Sequence, residues 1–130
     1  MLVVLYIATG GAVGAVARYG LAGWVQNRAG FQFPWGTLSV NLVGSLLLGI
    51  ALGWLDASTV TPPVRAAITI GLLGSFTTFS TFSFETLALL QDAEWRKALG
   101  YMLGSVILGI AAVYVGMVLT GLAIDPTASP

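Results

Sequence analysis

Residues 74–85 read GSFTTFSTFSFE, inside a stretch otherwise apolar enough for lipid. Between Thr77 and Thr81 four hydroxyl residues are crowded together, phenylalanines alternate with them, and Glu85 closes the run. Such residues make a poor greasy anchor. Within hydrocarbon a polar side chain must find a partner or line a wet cavity, so this run marks a functional surface. It also decides the local fold. Gly71, Gly74 and the β-branched pair Thr77 and Thr78 lower helical preference near the middle of the span, which predicts a broken helix. Freed backbone at membrane depth is tolerated only where it is buried or coordinates something, and a cation is the natural occupant.

Outward from that run, the chain is built for a membrane. Of 130 residues 57% are hydrophobic and 8% are charged, with mean hydropathy +0.93; soluble domains carry about 25% charged residues. Five Lys and Arg balance five Asp and Glu, so no basic stripe supports nucleic-acid binding. With no His and no Cys, zinc, haem and thiol chemistry lack their ligands, and the composition argues against an enzyme.

A spanning helix needs roughly 20 mostly apolar residues, and the scarce charges and prolines divide the chain into four. Helix 1 is expected over Leu2 to Val25, helix 2 over Trp35 to Leu55 after Pro34, helix 3 over Val64 to Leu90 after Pro62 and Pro63, and helix 4 over Ala98 to Ala123 after a polar turn at Asp92 to Lys97. Trp24, Trp35, Trp54 and Trp95 fall near these ends, where indole prefers the headgroup region. Helix 1 lacks a basic leader and three more spans follow, so it reads as a span and not as a secretory signal. The expected fold is a single all-α, four-helix transmembrane domain, too small to enclose a pore alone. Gly10 with Gly14, Gly49 with Gly53, and Gly100 with Gly104 have the spacing that lets helix backbones approach closely, and a homo-oligomer is the natural expectation.

Orientation is weakly specified. An even number of spans puts both ends of the chain beside Arg65, with Arg28, Arg96 and Lys97 on the opposite side. So small a bias permits insertion both ways, and hence an antiparallel dimer.

The polar residues fall on shared faces. Thr37 and Asn41 are one turn apart on helix 2, as are Tyr101 and Ser105 on helix 4. On helix 3, Phe79 and Phe82 share one face while Thr78, Thr81 and Glu85 follow an adjacent one. An aromatic ring is positive at its rim, so phenylalanine edges can meet an anion without a formal charge. Hydroxyls, an amide and ring edges are sites strong enough to admit a small anion and weak enough to release it, as conduction requires.

At GGAVGAVARY (10–19), FPWGTLSVNLVGSLLLG (33–49) and GLLGSFTTFSTFSFE (71–85) the chain resembles the Fluc (CrcB-like) fluoride channel family. That resemblance implies an antiparallel, dual-topology homodimer with two fluoride pores, helix 3 broken mid-membrane, and a central structural Na⁺. By the same resemblance, Phe79 and Phe82 look like the pore phenylalanines, Asn41 like the pore amide and Tyr101 with Ser105 like the helix 4 lining. The carbonyls of Gly74 and Thr77 look like the Na⁺ ligands. Thr78, Thr81 and Glu85 match the polar track and its vestibule acid, and Arg18 matches an arginine near the end of helix 1. The sequence departs from the family pattern at Ser75, where a second Gly is common, and at Gly109, where a further hydroxyl is sometimes found.

The function this implies is passive export of F⁻ through a prokaryotic plasma (inner) membrane, giving fluoride resistance. No GxxxxGK[ST] phosphate loop is present. Two alternatives are a small proton-coupled multidrug exporter of the same dual-topology size class and an assembly subunit without transport. The exporter needs a deep carboxylate, normally in its first helix, and helix 1 has none.

Overall fold

The computed structural model describes residues 1–121, and in it the chain is all-helical. Helices α1 (Leu2–Ala29), α2 (Trp35–Asp56) and α6 (Trp95–Leu119) are continuous. The third path is assembled from α3 (Pro62–Ala66), a π-helical segment (Ala67–Leu73), α4 (Gly74–Phe76) and α5 (Phe79–Gln91). Four stretches are long and apolar enough to cross a membrane: Leu2–Ala29, Trp35–Asp56, Pro62–Gln91 and Trp95–Leu119. The protein is therefore a multi-pass membrane protein.

The ends differ from the sequence expectation for local reasons. α1 continues past Val25 and stops at Gly30, whose φ of 91° lies where only glycine is comfortable and whose N–H returns to the Gln26 carbonyl. Pro62 and Pro63 lie within the first turn of α3, where a missing N–H costs nothing. α6 begins at Trp95, so Arg96 and Lys97 belong to its first turn and not to the connection. The connection is tight: Ala93 takes φ 59° and Glu94 N–H reaches the Leu89 carbonyl at 2.9 Å, satisfying a free carbonyl at the end of α5. The far end expected at Ala123 lies outside the described residues.

Two glycine seams hold the bundle. Gly10 and Gly14 of α1 lie against the carbonyls of Ala67 and Leu72, so α1 rides on the π-helical segment at backbone distance. Gly49 of α2 and Gly116 of α6 meet reciprocally, against the Val113 and Leu46 carbonyls. Without a hydrophobic drive between lipid-solvated helices, such close van der Waals approach is what joins them. Gly100 and Gly104 do otherwise: a Cβ at either would meet nothing within 4 Å. Their face is open, and among the described residues the expected close approach is not made.

The helical path is interrupted at Thr77 (φ −82°, ψ 158°) and Thr78 (φ −149°, ψ 117°), both extended. Gly44 of α2 makes room for this step. A Cβ there would collide with the Thr77 methyl and stand 3.0 Å from the Phe76 ring. Thr78 then starts α5 as its cap, its Oγ1 accepting from the Thr81 N–H at 3.3 Å.

Candidate functional site

An extended step inside an apolar bundle leaves a peptide outside any helical ladder, and its polar groups need partners. Asn41 supplies them for Thr78. Its Oδ1 accepts from the Thr78 N–H at 2.8 Å and its Nδ2 donates to the Thr78 carbonyl at 3.1 Å. One amide thereby satisfies both backbone groups of this buried residue and keeps a second N–H to offer.

Beside this clamp lies a cavity of about 320 Å³. Phe79, Phe82, Ser105, Asn41, Gly74, Thr77 and Thr78 are all in its wall, with no Asp, Glu, Lys or Arg among the lining residues. Phe79 and Phe82 are in tilted contact, ring centroids 5.7 Å apart. Phe79 is 80% exposed, whereas Phe82 leans on Tyr101 at 5.0 Å. The Ser105 hydroxyl is buried and has no hydrogen-bond partner among the described residues.

The structure brings Thr37, Glu85 and Tyr101 together as a separate cluster. Thr37 Oγ1 donates to one carboxylate oxygen of Glu85 at 2.8 Å, and the Tyr101 hydroxyl donates to the other at 2.7 Å. Tyr101 is fully buried, with the Phe33 ring edge-on to it at 5.5 Å. Its phenol therefore does not line the cavity beside Ser105; it braces Phe82 and orients Glu85. Glu85 in turn borders a third hollow, with Gln26, Phe33 and Asp92 at the mouth of the bundle.

Arg18 stands apart from both groups. It lines a second cavity of about 340 Å³ with Tyr19, Thr37, Thr78 and Thr81. Thr78 borders both cavities, and its Oγ1 also donates to Thr81 Oγ1 at 3.0 Å. Of the polar stripe expected on one helix face, Thr78 alone thus stands between the two hollows, one without formal charge and one with a guanidinium.

Gly74 and Thr77, expected from the sequence to offer carbonyls to a cation, contribute only through their backbones. Gly74 has no side chain to cover its carbonyl, and a Cβ there would find only the Thr69 carbonyl, at 3.6 Å. Extended ψ at Thr77 turns its carbonyl away from the helical direction. Neutral oxygen donors of this kind fit a hard cation. Among the described residues, no group of three His, Cys, Asp or Glu offers another metal site.

Gln26, just past the expected end of helix 1 at Val25, was not singled out from the sequence. Its Nε2 donates to the Gly30 and Phe33 carbonyls, and its Oε1 accepts from the Gly36 N–H at 2.9 Å. It pins the α1–α2 loop that carries Phe33 to Tyr101.

A family model described as CrcB-like protein, Camphor Resistance (CrcB), matches residues 5–117. The chain belongs to the CrcB-like family. The CrcB-like match runs past Arg18 at one end and Ser105 at the other, so it takes in every residue of the cavities described above. A relative from Hahella chejuensis, named fluoride-specific ion channel FluC, is 50% identical over 119 residues, covering 91% of this chain and 94% of that protein. Proteins of the same name from Thermus thermophilus and Geobacter sulfurreducens are 47% identical over 117 residues and 48% identical over 118. The first match covers 90% of this chain and 92% of the relative, the second 90% and 95%.

Proposed function

We propose that this chain is a fluoride-selective channel and not an enzyme, letting F⁻ leave a prokaryotic cell passively through its plasma membrane and so conferring fluoride resistance. The observation that carries this is the cavity of Phe79, Phe82, Asn41 and Ser105, with aromatic, amide and hydroxyl groups and no formal charge in its wall. The relatives' shared name points the same way.

The mechanism follows from what such a wall offers. Fluoride holds its water tightly, and entry requires donors that replace that water without trapping the ion. The spare N–H of Asn41, the unpaired Ser105 hydroxyl and the positive rims of two rings are donors of intermediate strength. Arg18 raises the anion concentration in the neighbouring cavity, while the cargo path itself stays free of full charges. A negative-inside potential contributes about 2.3 kcal/mol per charge per 100 mV to outward movement.

In this reading the working unit is an antiparallel, dual-topology homodimer with the helix break at mid-membrane. The 80% exposure of Phe79 in one copy favours it, since a ring meant for an ion path needs a second wall. The open face at Gly100 and Gly104 favours it as well. A structural Na⁺ at the dimer centre would be held by the Gly74 and Thr77 carbonyls of both copies, fixing the two breaks relative to each other. Of the alternatives, the exporter finds no support: α1 has no carboxylate, and Glu85 is already committed to Thr37 and Tyr101.

The deciding experiment is ion efflux from liposomes containing the purified full chain. Rapid F⁻ release with Cl⁻ retained supports the reading, and equal release of both halides, or of neither, overturns it.

A further inference from the structure

Serine and threonine in apolar helices usually bond back to the carbonyl four residues earlier. Thr69, Thr77, Ser83 and Thr86 do this here, to Arg65, Leu73, Phe79 and Phe82. Three hydroxyls in the wall of the Phe79 and Phe82 cavity do not: Thr78 Oγ1 donates to Thr81 Oγ1 instead, and two make no such bond. Ser105 Oγ is buried without a partner, and Ser45 has no hydrogen bond to its own helix among the described residues. Ser45 lies four residues beyond Asn41, on the same face of α2. Opposite it, the hydroxyl row of α6 stops: one turn past Ser105 is Gly109, and a Cβ built there would stand 3.7 Å from Ser45 Oγ.

We propose that Ser45 is a further pore hydroxyl, donating to the passing anion one helical turn beyond Asn41 at the place where α6 presents only Gly109. The inference rests on the fluoride-channel reading and names the residue that carries the anion past Ser105. A free donor in an uncharged wall is a ligand for a desolvated anion, and two helices packed side by side at the cavity need to supply only one at each level. Because 3.7 Å is ordinary contact, that space accepts a small side chain from α6 as readily as it now accepts Ser45 from α2.

The test moves the hydroxyl from one helix to the other. In liposomes holding the full-length protein, Ser45→Ala is expected to slow F⁻ efflux about tenfold, the weight of one hydrogen bond to an ion. Ser45→Cys, which keeps the shape with a weak donor, is expected to slow it too. Adding Gly109→Ser to either variant restores efflux. Adding Gly109→Ala, which fills the same space without a donor, does not. Full efflux through Ser45→Ala, or rescue by Gly109→Ala equal to that by Gly109→Ser, overturns the assignment while the channel reading stands. A wild-type protein that passes no F⁻ removes both.

Discussion

At the scale of single residues, the site works by leaving some polar groups paired and others free. Phe82 is held by Tyr101 at 5.0 Å while Phe79 faces outward. Replacing Phe82 by Ile keeps the bulk and removes the polar rim. Efflux from liposomes is expected to fall by tenfold or more, about 1.4 kcal/mol of barrier; unchanged F⁻ flux would show that the rim is not in contact with the ion. Tyr101→Phe has a different signature. It leaves one Glu85 oxygen without its 2.7 Å donor, so thermal unfolding in detergent should report a loss of about 1–3 kcal/mol. Both rings were visible in the sequence as residues on a common face or near a groove. That Tyr101 braces the site from behind was not, because helical spacing gives the side of a helix and not the depth of a side chain.

At the scale of elements, the third span shows how a local conflict is settled by a neighbour. Low helix propensity at Gly71, Gly74, Thr77 and Thr78 signalled an interruption, and two extended residues stand there. The stretch Ala67–Leu73 was not foreseen as π-helical. It carries the carbonyls against which Gly10 and Gly14 pack, a pairing between segments far apart in sequence. The break is stabilised by Asn41 and accommodated by Gly44, both on α2. Asn41→Leu should therefore destabilise the fold by about 2 kcal/mol or more, since it orphans an N–H and a carbonyl together, and amide exchange at Thr78 should rise. If exchange there stays slow, the clamp is not what protects the break. Gly44→Val is expected to abolish the folded, monodisperse protein on size exclusion, because the Thr77 and Phe76 side chains already occupy its space.

At the scale of the whole molecule, one copy offers an exposed Phe79, an open glycine face on α6 and large apolar side chains along α1 and α6. Lipid covers most of these, and the proposed second copy covers the rest. Light scattering in detergent should give twice the mass of one chain, and a C-terminal tag should be reached by impermeant reagent from both sides of sealed vesicles. Labelling from one side alone would remove the antiparallel arrangement. The sequence by itself determined that this is a four-span membrane protein, where its third helix falters, and which polar residues had to be explained, because burying charge or hydroxyls in lipid is costly and apolar length is countable. Only the tertiary structure decided how they divide. Asn41 goes to Thr78, Glu85 to Thr37 and Tyr101, and among the described residues Ser45 and Ser105 are left free beside the rings. Hydrogen-bond partners are chosen by which backbones approach closely, and here that is set by glycine seams between helices that sequence spacing does not connect.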